Sequence, residues 1–180
     1  GEITDNEIQK IMSSCIHDAT CHNFKLLHAI PIRFQIDNST SISNPKGMVG
    51  HTLKGDVNIC KISESVLSNI SRVIERNHIE VERFISSAYA NGFSCLAEDE
   101  KNIGCVLIDL GSSSTSVGIF TNNNLIYSFD LPIGGFNITR DLASGLATTF
   151  LEAERIKVLH ANLYNSSFSS NEQINIANIE

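Results

Sequence analysis

The residues best suited to chemistry lie in a short polar turn between two apolar segments. An apolar run ends at Asp109, turns through a glycine and three serines, and enters a second apolar run at Thr115. Small side chains let backbone N–H groups approach an anion closely, and Asp109 could hold Mg²⁺ through water, because hard cations take carboxylate oxygens. A plain polar hairpin would have the same pattern. The candidate phosphate-binding residues are Asp109, Gly111, Ser112, Ser113, Ser114 and Thr115.

Other reactive side chains do not indicate a second site. The five cysteines are odd in number and lack CxxC spacing, so reduced thiols are predicted rather than a disulfide framework or a zinc site. His17 and His22 flank Cys21 and could form a metal cluster with it and Cys15. The simpler interpretation is that Cys15 lies on the apolar face of a helix and packs in the core. Ser113 lacks the GxSxG context of a hydrolase nucleophile.

Length and composition restrict the class of protein. The 180 residues suffice for one large domain or two small ones, and 42% hydrophobic with 18% charged residues is an ordinary globular composition. The net charge of -7 argues against a nucleic-acid partner, which normally requires a basic surface. We find neither an apolar stretch of about 20 residues that could span a bilayer nor the pattern of a signal peptide.

Hydrophobic periodicity predicts the elements that would position the turn. A capping box of Thr4 and Glu7 opens the first predicted helix, and Ser63 is expected to cap the second. Helices are predicted over 5–18, 63–77, 88–97, and from Asn137 and Thr149 onward. Strands are predicted over 25–36 with Pro31 at an edge or bulge, over 49–62, 79–87, 115–121 and 125–131, and over 105–110 as a central strand. A charged surface turn is predicted over 98–102, and 164–180 should be poorly ordered.

The order of the motifs resembles the actin-like ATPase superfamily, and within it the bacterial FtsA family, over nearly the whole chain. Single motifs are weak, whereas the ordered set is specific. The set comprises 27–31 (LHAIP), 44–48 (NPKGM), 98–100 (EDE), the turn at 109–115, 132–139 (PIGGFNIT), 141–146 (DLASGL) and 152–157 (EAERIK).

The resemblance implies a fold of class α+β / α/β in two parts. Residues 1–84 are expected to form a small SHS2-like subdomain, called 1C in this family. Residues 85–180 are expected to form the N-terminal part of the actin-like, RNase H-like subdomain 2A, with a three-stranded meander. The family's earlier phosphate-binding strand turn, its later adenine-side segment and its membrane helix have no counterpart in this sequence. We therefore expect the chain to be a piece of a longer protein.

The resemblance also implies roles for individual residues. The hairpin from Asp109 to Thr115 would contact the β- and γ-phosphates of ATP. Gly134 and Gly135 would lie close to the phosphates at a helix N-terminus, where the helix dipole favours an anion. Glu154 and Lys157 would hydrogen-bond the ribose, although from their spacing alone an exposed ion pair is the simpler interpretation.

The chain departs from the family pattern at three serines. Ser112 and Ser113 stand where many members have glycine, and a side chain at positive φ would cost roughly 1 kcal/mol or more. Ser116 stands where an acidic residue is common in the superfamily. These departures keep open an alternative function, that of a nucleotide-free adaptor like the pilus-assembly relatives of the family.

The function implied by the resemblance is that of an actin-like cell-division protein. The full-length protein would bind ATP with Mg²⁺, polymerise, and tether the FtsZ ring to the cytoplasmic face of the inner membrane at the division site. Its partners would be FtsZ, other FtsA subunits and later division proteins, with membrane contact only through a segment outside these residues. At most a weak ATPase is expected of the full-length protein. The present chain should be inactive, should bind little or no ATP, and should self-associate through exposed sheet edges.

Overall fold

Eleven helices and strands make up the computed structural model, which describes residues 1–37, 41–162 and 174–176. The helices are α1 (Asp5–Ala19), α2 (Glu64–Glu75), α3 (Ser87–Cys95), α4 (Glu98–Ile103), α5 (Gly135–Gly145) and α6 (Phe150–His160). The strands are β1 (Phe24–Ile36), β2 (Leu53–Ser63), β3 (Cys105–Leu110), β4 (Thr115–Thr121) and β5 (Asn124–Leu131). They form a two-stranded sheet, β1-β2, and a three-stranded sheet in the order β3-β4-β5. Within the described residues, none of the helices combines the length and the apolar character needed to cross a membrane.

The first sheet is a long antiparallel pair beside α1. The predicted capping box of Thr4 and Glu7 is present at the start of α1. Strands β1 and β2 pair from Phe24 opposite Ser63 to Ile36 opposite Leu53. The pairing shifts at two places, and one of them follows Pro31, which has no amide hydrogen to donate. The predicted bulge at this proline is confirmed.

The three-stranded sheet packs against α3 through a close contact at Gly92. The ring of Phe120 on β4 is 1% exposed and lies directly under this glycine. A Cβ built on Gly92 would be 2.0 Å from Cζ of that ring, so only glycine admits α3 at this distance. Leu125 on β5 is equally buried and completes this part of the core.

The prediction of a third strand over 79–87 is wrong. In the described structure, β1 pairs with β2 and, through an isolated bridge at Phe34, with Ile42, whereas residues 79–86 join no ladder. The end of this segment instead prepares α3. The Ser86 amide donates to Nε2 of His28 at 3.0 Å, and the Ser86 hydroxyl accepts the Tyr89 amide at 3.2 Å.

Three further local expectations are corrected. Residues 98–102 are helical in α4 rather than a turn, because the Glu100 carboxylate accepts the Ala97 amide at 2.9 Å and acidic side chains favour a helix N-terminus. Strand β3 lies at the edge of its described sheet and β4 at the centre, and alternate residues on one face of β3 are exposed, namely Val106, Ile108 and Leu110. Ser63 precedes α2 but makes no side-chain cap; its hydroxyl meets that of Ser65.

The chain divides into two compact units. One comprises Gly1–Ile108 and Val117–Phe129, and the other comprises Asp109–Ser116 and Asp130–Glu180. Every candidate binding residue falls in the second unit. The predicted boundary between residues 84 and 85 concerns the family's subdomains and stays a prediction. The predicted disorder over 164–180 lies outside the described residues, apart from 174–176.

Candidate functional site

The candidate turn joins β3 to β4 as a tight hairpin. The Gly111 amide donates to the Ser114 carbonyl at 2.9 Å, which closes the turn. Consecutive strands joined so tightly run antiparallel, so Asp109 lies opposite Ser116, two residues further from the turn. The serines from Ser112 to Ser114 are exposed, whereas Thr115 and Ser116 are buried.

Ser112 and Ser113, for which the family resemblance implies glycine, cause no backbone strain. Neither Ser112 nor Ser113 adopts a positive φ in the described structure. The penalty for a side chain in the left-handed region therefore does not apply at either position. The turn accepts serine here and gains two exposed hydroxyl groups.

The first turn of α5 closes directly on the hairpin. The Gly135 amide donates to the Gly111 carbonyl at 3.0 Å, and the Phe136 amide donates to the Ser112 carbonyl at 2.7 Å. Gly134 lies against the same carbonyls: a Cβ built on it would be 2.4 Å from the Ser112 oxygen. This contact requires glycine at position 134.

These contacts determine which amides an anion could use. The Gly134 amide is bonded to Oδ1 of Asn137 at 3.0 Å, so the amides of 134–136 all have protein acceptors. By contrast, the amides of 112–114 have no acceptor among the residues that the structure describes. An anion at this turn would therefore contact the amides and hydroxyls of the three serines. The two glycines would contact the carbonyl groups of the turn instead of the anion. A direct contact of Gly134 or Gly135 with a ligand stays a prediction.

Two hydroxyl groups fix the base of the hairpin. The Thr115 hydroxyl donates to the Ile133 carbonyl at 2.7 Å, and the Ser116 hydroxyl donates to Oδ1 of Asp130. Asp130 was missed from the sequence. The signal that could have identified it was the predicted turn at Asn122 and Asn123, which both have the positive φ that a two-residue turn requires. Counting residues along β4 and β5 away from this turn brings 130 beside 115.

A second polar cluster joins α6 to α5. The Lys157 ammonium donates to the Gly135 carbonyl at 3.2 Å, the Thr139 hydroxyl at 2.8 Å and the Glu154 carboxylate at 2.7 Å. Thr139 is fully buried and also donates to Glu154. The hydrogen bonds from Lys157 and Thr139 hold the pKa of Glu154 below its ordinary value. The pair is therefore more than an exposed ion pair, since it connects α6 to the first turn of α5.

Among the described residues, Asp109 is the side chain to consider as a metal ligand. Within 1–37, 41–162 and 174–176, no three histidine, cysteine or acidic residues come together in a way that could hold a metal ion. Asp109 is half-buried at the end of β3 and engages another group. Mg²⁺ commonly keeps several waters and uses one or two carboxylates together with phosphate oxygens, so Asp109 remains a fitting partner only beside a phosphate ligand. All five cysteines are free thiols.

Comparison with known families identifies both parts of the chain. A family model described as "SHS2 domain inserted in FTSA" matches residues 1–61, and one described as "Cell division protein FtsA" matches residues 106–180. The chain belongs to the FtsA family. The family resemblance and the fold class expected from the sequence motifs are confirmed. FtsA membership places the chain among cell division proteins.

Individual relatives agree with this assignment. The cell division protein FtsA of Rhizobium meliloti (strain 1021) is 30% identical over 175 residues, which cover 97% of this chain and 40% of that protein. FtsA of Bacillus subtilis (strain 168) is 33% identical over 171 residues, which cover 95% of this chain and 39% of that protein. The chain thus spans about two fifths of the length of these FtsA relatives.

A solved structure shares the fold. A chain of the PilM-PilN type IV pilus biogenesis complex superposes with a TM-score of 0.62 and 14% identity, over 88% of this chain and 45% of that chain. At this identity the likeness concerns the fold alone, which is mixed α and β of the actin-like type.

Proposed function

We propose that the turn at 111–115 is one wall of an ATP site in an actin-like cell-division protein. The observation that carries the proposal is that the carbonyls of the turn accept hydrogen bonds from the protein whereas its serine amides donate none within the described residues. Its carbonyls at Gly111 and Ser112 are held by α5, while the amides of 112–114 have no acceptor among the described residues. Adjacent free amides on a rigid turn are the arrangement that binds phosphate oxygens.

The proposed roles follow from the positions of the side chains. Ser112, Ser113 and Ser114 would donate to the β- and γ-phosphates through amides and hydroxyls. Gly134 and Gly135 would set the position of the turn. Mg²⁺, held through water by Asp109, would neutralise phosphate charge.

The ribose contact is proposed for Glu154 and Lys157. Both belong to the unit that contains the turn, and Lys157 already reaches the Gly135 carbonyl. The ammonium is saturated by its three internal acceptors. A ribose hydroxyl would therefore approach the Glu154 carboxylate, which is the more exposed partner, with 41% of its side chain exposed against 20% for Lys157.

At the level of the whole protein, we propose the division role that the family names suggest. The complete protein would polymerise and link the FtsZ ring to the cytoplasmic face of the inner membrane, using later division proteins and its own copies as partners. Any ATP hydrolysis would be slow. Residues 1–84 would serve as the 1C subdomain and 85–180 as the start of 2A. Since the chain spans about 40% of its relatives, these statements concern the complete protein.

A nucleotide-free adaptor is the second candidate function. The use of the α5 amides by protein carbonyls favours it. Titration calorimetry of the complete protein with Mg-ATP separates the two candidates. The ATP hypothesis expects binding that Asp109→Ala weakens at least about tenfold and that Asp141→Asn, on the exposed side of α5, leaves unchanged. Absence of binding by the wild-type protein would support the adaptor.

A further inference from the structure

The hydrogen bond between Ser116 and Asp130 has an unusual setting. Ser116 is only 7% exposed, and a buried hydroxyl needs a partner. Its partner is a carboxylate on the neighbouring strand, which makes a charge-assisted bond stronger than one between neutral groups. Asp130 itself is exposed and has no cation within ion-pair distance among the described residues.

The charge of Asp130 does not explain its presence. A carboxylate without a cation close to an anion-binding turn repels the anion. Its acceptor geometry, by contrast, is useful: the bond fixes Ser116, next to Thr115, whose own hydroxyl is held by Ile133. The first two residues of β4 are thereby tied to the end of β5 and the segment after it.

The hydrogen bonds of Thr115 and Ser116 hold the second end of the turn in place. On one side, α5 amides hold the carbonyls of Gly111 and Ser112. On the other side, the hydroxyls of Thr115 and Ser116 hold the base of β4. The amides of 112–114 lie between these two anchored ends, so their direction depends on both.

We propose that Asp130 is a positioning residue for phosphate binding, acting through Ser116 and without touching the ligand. The inference rests on the proposed ATP site. It assigns to Asp130 the function of a hydrogen-bond acceptor whose negative charge is dispensable. The neutral isostere should therefore replace it, whereas an apolar residue of similar size should not.

The test is calorimetric titration of the complete protein with Mg-ATP, comparing Asp130→Leu, Asp130→Asn and Ser116→Ala with the wild type. Asp130→Leu and Ser116→Ala should each weaken binding by roughly tenfold, and their combination should lose no more than either alone. Asp130→Asn keeps the acceptor and removes the repulsion, so its affinity should stay within about threefold or become tighter. Asp141→Asn is the matched control for charge and should have no effect.

Each outcome decides between clear alternatives. If the wild type binds and Asp130→Leu binds equally well, Asp130 has no positioning role. If Asp130→Asn loses as much as Asp130→Leu, the charge matters and the inference is overturned. If the wild type itself binds no nucleotide, the proposed ATP site fails, and the inference fails with it. Thermal unfolding of each variant identifies a folding defect, and Ser116→Ala then tests the same bond from its other end.

Discussion

Gly134 stands so close to Ser112 that a Cβ on the glycine would lie 2.4 Å from the serine carbonyl oxygen. The neighbouring amides of α5 hold that carbonyl and the one before it. Helix α5 and the candidate turn therefore form one local structure, and substitutions at their contact should affect both.

Gly134→Ala should destabilise the protein by about 1–3 kcal/mol, because the new methyl group meets backbone atoms that cannot rotate away. Urea unfolding measures the effect. Gly145→Ala, at the other end of α5 with open space around it, is the control and should be neutral or stabilise by about 0.4–1 kcal/mol. Equal stability of both variants would contradict the close contact.

Ser112→Gly should destabilise the protein by roughly 0.4–1 kcal/mol, because the serine has no positive φ and glycine adds only freedom in the unfolded chain. His78→Gly should have the opposite effect, since His78 has a φ of 59° just after α2. Thermal unfolding distinguishes the two signs. A stabilising Ser112→Gly would mean that the turn is strained after all.

His28 should make stability depend on pH. Burial first, and then the charge of Arg83, lower the pKa of its ring below the ordinary 6.5, and its neutral Nε2 accepts the Ser86 amide. This stabilisation is complete above about pH 6.5 and is lost as the pH falls through the pKa of the folded state. Urea unfolding between pH 8 and about pH 5 should show the loss. His28→Gln, which offers an acceptor that does not titrate, should show less of it, and an unchanged slope would refute the assignment.

Glu154 should contribute at more acidic pH. Hydrogen bonds from Lys157 and Thr139 lower its pKa below the ordinary 4.5, so its stabilisation is present above that value and lost as the pH falls through the folded pKa. Glu154→Gln should remove this component of the acid sensitivity. Urea midpoints at neutral pH and below pH 4.5 give the comparison. A variant with the same acid sensitivity as the wild type would show that the cluster is not formed.

The edge strand β3 should cause the isolated chain to self-associate. Val106, Ile108 and Leu110 are exposed there, and β3 carries neither lysine nor proline to discourage pairing with another strand. Light scattering after size-exclusion chromatography should show association that Ile108→Lys reduces. Val73→Lys, an exposed apolar position on α2, is the matched control. A wild-type monomer at high concentration would exclude the idea.

Local signals predicted the elements that depend on local interactions. The capping box at Thr4 and Glu7 located α1, and the alternation around Asn122 and Asn123 located the β4–β5 hairpin. The strand predicted over 79–87 failed because a strand needs a partner, and periodicity does not say whether one is available.

The candidate site was predictable in composition and only partly in geometry. The turn residues were identified from type and spacing and the two glycines from the family resemblance, and all of them belong to the same unit. The bonds from the α5 amides to the turn, and the role of Asp130, depend on tertiary distances that no local pattern encodes. Whether Ser112 and Ser113 need a positive φ, which would strain a side chain there, was open from the sequence, and neither residue adopts one.

The three hydrogens of the Lys157 ammonium are matched by three acceptors, one of them the Gly135 carbonyl. The amide of the same glycine holds Gly111. In the proposed ATP site, a ribose hydroxyl that drew the Glu154 carboxylate toward itself would thus pull, through Lys157, on the glycine that holds the turn. Binding at the ribose end of the nucleotide would then be coupled to binding at the phosphate end through the carbonyl and the amide of Gly135, without movement of a whole domain.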